Sequence, residues 1–169
     1  NLGSILYRKG EYKQAVLMLQ KSRRIQPNFP LTILVMGLCF SRLNNRKAAL
    51  TCFQDVLTIA PDNRVALTAL ALHYYEEANY TKTLELLDKL EKTGIDSNRF
   101  NRLRADSLMN AGRDDEAVAV VKTMRHTSEG FKKFDSFIDS VPVELFTDRH
   151  GTIDTKIGIL KEKIKTDGD

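Results

Sequence analysis

The chain has 169 residues, 42% of them hydrophobic, with a formal net charge of +4 and a sequence pI of about 9.1. That suffices for one domain with a core or a short elongated array, and no apolar run approaches the ~18 residues of a membrane span. Two cysteines, Cys39 and Cys52, allow neither a disulfide framework nor a zinc spacing. Both lie in apolar helical surroundings and read as reduced core thiols, which suits an intracellular, cytoplasmic setting.

Written in rows of 34, the chain aligns with itself. Gly3, Gly37, Ala71 and Ala105 share one column, and Leu6, Phe40, Tyr74 and Leu108 another. Ala15, Ala49, Thr83 and Ala117 form a third, and Leu19, Phe53, Leu87 and Val121 a fourth. A constant period of this length is the mark of a solenoid.

Taken along the chain, each row predicts two helices. The opening row begins inside its first helix, as expected for an excerpt of a longer protein. In the second row Ile33, Met36, Gly37 and Phe40 recur at i, i+3, i+4 and i+7, one face of a helix. Ala49, Leu50, Phe53 and Val56 make the facing stripe of the next. Small residues in one column let two backbones approach, and large ones fill the space beside them. Gly10, Asn44, Ala78 and Gly112 fall in the turn column, and Gly10, Asn44 and Gly112 can adopt the left-handed conformation that ends the first helix. Pro27 and Pro61 stop the second helix, because proline lacks the donor that continues it.

These residues resemble the tetratricopeptide repeat family. Its order of bulky residue, Leu-Gly, aromatic, Ala, Phe and Pro appears as Ile33, Met36, Gly37, Phe40, Ala49, Phe53 and Pro61. The resemblance covers residues 1–128 and implies an all-α, right-handed α-solenoid of helical hairpins. Thr83 stands where alanine is usual, Ile95 where proline is, and Asn101 and Arg104 where apolar residues are. Met36, Gly37, Cys39, Phe40, Leu43 and Asn44 are also similar to part of the repeat scaffold of the Paf-type transcription elongation complex.

Residues 129–169 depart from the period. Phe131, Phe134, Phe137, Ile138 and Val141 predict one amphipathic helix and Ile153, Ile157, Leu160 and Ile164 a second. A solenoid needs an end that hides its last open face, so these read as a C-terminal helical cap.

No catalytic constellation emerges. His73, His126 and His150 are far apart with no ligand spacing, and no nucleophile elbow, phosphate loop or metalloprotease motif is present. Asp114, Asp115 and Glu116 open a helix, where acids suit the dipole. No enzyme activity, cofactor or metal is expected. The basic residues are dispersed and no nucleic-acid motif accompanies them, so nucleic acid is not an expected partner.

In the family, first helices line the concave surface, where ligands sit. The inner positions here include Leu31, Leu34, Val35, Leu38 and Arg42, then Val65, Ala69, Leu72 and Tyr75, then Arg99 and Arg102. Residues 31–40 are apolar almost all the way round, and a helix of that kind must be covered on more than one side. The expectation is an apolar trough with basic rims, partly covered at Val35 and Ala69 by neighbouring first helices but otherwise open to water in the free protein and suited to a peptide or amphipathic helix. Families that clamp chaperone C-terminal tails use lysine, asparagine and arginine at these places, so that ligand is not expected. The sequence therefore predicts a protein-interaction scaffold or adaptor; the alternative is a substrate-recognition or assembly region of a larger protein, such as an enzyme or a transcription-elongation scaffold.

Overall fold

The computed structural model describes residues 2–95 and 100–124. The predicted capping helices, with Phe131, Phe134 and Phe137, and His126 and His150 lie outside the described residues. Among the described residues there are eight α-helices: α1 (Leu2–Arg8), α2 (Tyr12–Ile25), α3 (Pro30–Arg42), α4 (Arg46–Ile59), α5 (Arg64–Glu76), α6 (Tyr80–Lys92), α7 (Asn101–Asn110) and α8 (Asp114–Met124). None of those residues is in a strand.

The turns follow from the backbone chemistry of the turn column. Gly10, Asn44, Ala78 and Gly112 have φ of 81°, 56°, 55° and 73°. At each, the N–H of the following residue reaches back to the carbonyl of the aromatic or leucine column. Glu11 N–H donates to Leu6 O at 3.0 Å, Asn45 to Phe40 at 2.8 Å, Asn79 to Tyr74 at 2.8 Å and Arg113 to Leu108 at 2.9 Å. This six-to-one bond, paired with a shorter one inside it, satisfies carbonyls that the helix end would leave bare. Asn45 and Asn79 then cap the following helices, their Oδ1 atoms accepting from Ala48 and Lys82 N–H at 3.2 Å. Helices α2 and α4 end at Ile25 and Ile59, two residues before Pro27 and Pro61.

The chain divides within α5, after Leu70, into two units. In the first, α3 packs on α1, α2 and α4. Gly37 lies so close to α4 that a Cβ there would stand 2.8 Å from Phe53 Cε1 and 3.1 Å from Cys52 Cβ. A Cβ on Gly3 would meet Leu19 Cγ at 2.5 Å. Ala15, Leu19, Cys39, Ala49, Phe53 and Val56 are buried around these contacts. At ~25 cal/mol per Å² of apolar area, burial of Phe53 contributes on the order of 2–3 kcal/mol.

In the second unit, α7 packs on α6 and α8. The departures from the repeat are accommodated by polar bonds. Thr83 is fully buried, its hydroxyl donating to Asn79 O at 3.1 Å and Ala71 O at 3.4 Å. Arg104, in the column of Met36, extends its guanidinium to Asp88 and to Glu91 on α6. Asn101 Nδ2 donates to Thr123 Oγ1 at 3.4 Å.

First and second helices differ in kind. In α3 every residue from position 32 to 37 is buried, and in α5 every residue from 66 to 72. In α2 only Ala15, Val16 and Leu19 are. Helix α3 is walled in by its neighbours, whereas α2 keeps one face in water.

Candidate peptide-binding surface

In the first unit, Leu31, Leu34, Val35, Leu38 and Arg42 follow one side of α3, at the helical spacing of 3, 4 and 7. Leu31 is 50% exposed, and Leu38 and Arg42 are half-buried. Leu34 and Val35 are buried. On α5, Val65 is half-buried and Ala69 is buried. The expectation of a floor open to water is therefore corrected for Leu34, and Val35 and Ala69, expected to be covered in part, are covered almost wholly. For α3 the reason is that contacts with α1, α2 and α4 enclose most of its circumference, so only a narrow arc emerges.

In the second unit Leu72 and Tyr75 are buried as well, and Arg102 is half-buried. Arg99 lies outside the described residues. Tyr75 has a second allegiance: its hydroxyl donates to Asp106 Oδ2 on α7. Asn110 Nδ2 donates to the same oxygen at 3.0 Å and to the Asp106 backbone carbonyl at 2.7 Å. Asp106 is 1% exposed and is held by neutral donors, which serve a buried carboxylate in place of water.

Sequence reasoning did not single out Asp106 for this role. Its signal was its column, for it stands one period beyond Leu72 and two beyond Leu38, a carboxylate where the two middle rows place leucine. Thr32 was also missed. Its hydroxyl oxygen and that of Ser41 are buried without a hydrogen-bond partner among the described residues. Cys39 and Cys52 are free thiols, buried as expected, and burial pushes both up to about 11. At that value the nucleophilic thiolate is scarce near neutral pH.

Among the described residues no group of three His, Cys, Asp or Glu side chains is placed to hold a metal ion, and no helix is long and apolar enough to cross a membrane. The surface offers apolar contact and helix-borne hydrogen bonding.

Comparison with known proteins agrees with this architecture. Residues 32–63 match the tetratricopeptide repeat model. Over 101 residues, 53% of this chain, the sequence is 33% identical to Tetratricopeptide repeat protein 1 of Schizosaccharomyces pombe. The chain spans 10% of the length of that relative. Solved structures of MamA share the fold. One, a MamA RS-1 double mutant, has a TM-score of 0.68 at 17% identity, covering 96% of this chain and 92% of that one. Another crystal structure of MamA has a TM-score of 0.67 at 13% identity, covering 98% of each chain. At such identities the likeness carries the fold alone. With the 34-residue columns, the left-handed turns and the matched repeat taken together, the chain is similar to the tetratricopeptide repeat family in its repeat and its fold, and residues 32–63 carry the repeat itself.

Proposed function

We propose that the array is a non-enzymatic protein-interaction scaffold that holds a peptide or an amphipathic helix along the inner side of its first helices. The observation that carries this reading is the side of α3. Leu31 is 50% exposed there, and it continues into half-buried Leu38 although neither belongs to the Ile33, Met36 and Phe40 stripe that packs the hairpin. Val65 adds a half-buried apolar side chain on α5. Apolar side chains that the hairpin core does not require, standing in line on one helix, suit anchors of a partner. Arg42 provides a cation at the end of that line, and Arg102 provides one on α7.

The test uses Leu31→Glu/Leu38→Glu, which places charge on the accessible arc. Partners captured by the unsubstituted chain are identified by mass spectrometry, and the affinity of the best one is then measured against both chains. A loss of tenfold or more in affinity with a melt shifted by only a few degrees is the expected result. Unchanged affinity would place the partner elsewhere. Leu72→Glu is unsuitable for this purpose, because Leu72 is 4% exposed and a charge there would unfold the hairpin.

A second reading, an assembly or substrate-recognition region of a larger protein, is favoured by the match to one tenth of a longer repeat protein.

A further inference from the structure

Charge is divided unevenly along the chain. Residues 1–70 carry ten Lys and Arg side chains against three acids, Glu11, Asp55 and Asp62. Half of the ten gather at two turns. Arg8 and Lys9 end α1, Lys13 opens α2, and Arg46 and Lys47 open α4. All five are exposed. Helices α1 and α2 both pack on α3, which pairs in turn with α4, and the short connections 9–11, 26–29 and 43–45 reverse the chain each time, so the α1–α2 and α3–α4 turns come to the same end. The two turns therefore share an edge. The rings of Tyr7 and Tyr12, with centroids 5.7 Å apart, lie at the same turn as Arg8, Lys9 and Lys13.

Arg8 and Lys9 suit the C-terminal end of α1, but stability does not account for Lys13 and Lys47. Lys13 and Lys47 occupy the same register, the second residue of α2 and of α4, and neither helix has an acid in its first turn. The first turn carries the positive end of the helix dipole, so cations there are unfavourable. Helix α8 shows the stabilising choice at the same place in its row, with Asp114, Asp115 and Glu116. Arg8, Lys9, Lys13 and Lys47 take part in no salt bridge among the described residues. A local rule broken twice at one register, with no salt-bridge partner among the described residues, is the pattern of a surface kept for contact with something else.

We propose that the shared edge of the α1–α2 and α3–α4 turns is a docking surface for an acidic segment of a partner protein, separate from the inner side of the first helices. Clustered cations at a protein surface attract such a segment and orient it. The tyrosine pair offers it apolar and hydroxyl contact. A phosphate backbone fits less well. Glu11 is exposed between Lys9 and Lys13 and sets a like charge in the path of an evenly charged polyanion, whereas a peptide can place its carboxylates around it.

The experiment titrates the full chain into a fluorescein-labelled oligo-glutamate peptide and, separately, an oligothymidylate of equal charge, reading anisotropy at low salt. The Lys13→Glu/Lys47→Glu variant should bind the peptide about tenfold more weakly. Its melting temperature should equal or exceed that of the parent, because acids replace cations in two first turns. Lys13→Arg/Lys47→Arg should retain binding. Failure of the parent to bind the peptide, undiminished binding by the glutamate variant, or a lowered melt in that variant would each overturn the proposal. Tighter binding of the oligonucleotide, with a steep salt dependence, would overturn it in favour of nucleic acid.

Discussion

The two units fill one 34-residue register with different chemistry, and the contrast shows what the repeat requires and what it leaves open. In the first unit the outer helices are joined directly, Arg23 on α2 donating to Asp55 on α4 at 2.6 Å. Beneath them Met36 and Phe53 are buried. Two periods later those two ion-pair positions hold Glu91 and Thr123, and the Met36 position holds Arg104. Arg104 turns outward to Asp88 and Glu91, on a single neighbouring helix. A cleft of about 330 Å³ is left, lined by Leu84, Leu108, Ala119 and Val120 and rimmed by the Arg113–Glu116 pair. The turns and the small-to-large contact persist in both units, because they set the backbone path. The charges over that path are interchangeable, since partly exposed ion pairs are worth ~0–1 kcal/mol.

The largest effect that would separate the units lies in the small-to-large column. Phe53→Ala in the first unit should cost about 3–5 kcal/mol, read as a lowered urea midpoint. Gly37→Ala should also destabilise, since its new Cβ would meet the Phe53 ring. Combined with Phe53→Val, which reproduces the Ala105 and Val121 pairing of the fourth row, the two changes should be less than additive, by about 0.5–3 kcal/mol. Strict additivity in the double-mutant cycle would show that this contact does not couple the helices.

A middle-sized effect belongs to the second unit. Tyr75→Phe keeps the ring and removes the donor to buried Asp106, and should cost about 1–3 kcal/mol in chemical denaturation. An unchanged midpoint would mean that Asp106 finds its hydrogen bonds without the tyrosine.

The smallest effect at neutral pH lies in the first unit, where Cys39 and Cys52 reside. Burial holds each thiol's pKa at about 11, above the ordinary value of 9.0. The folded state therefore keeps its protons more tightly than the unfolded state. The associated stability is complete below pH 9 and is lost as the pH rises from about 9 to 11. Cys39→Ala/Cys52→Ala should flatten this alkaline loss while leaving its neutral-pH cavity cost. An equal alkaline slope in parent and variant would assign the loss to other groups.

Much of the fold was legible before any coordinates. Gly10, Asn44 and Gly112 are left-handed as expected, Ala78 is left-handed too although its residue type did not announce it, and the helices ahead of Pro27 and Pro61 end as proline demands. The surface was less legible. Leu34 and Leu72 read as spare apolar residues on an open face, yet they are buried. Arg104 read as a disturbance of packing, yet its charge is matched by two carboxylates.

The division has one physical cause. Turn geometry, helix termination and the close approach of two helices of one hairpin depend on residues a few positions apart or on a repeated pair of columns, so the sequence by itself determined them. Whether a side chain meets water depends on which distant segments pass beside it. The Tyr75–Asp106 bond joins residues 31 apart, and the enclosure of α3 requires helices on both sides of it in the chain. Only the tertiary structure decided those, because burial is a property of neighbours and the period of a sequence specifies a helix face without specifying what covers it.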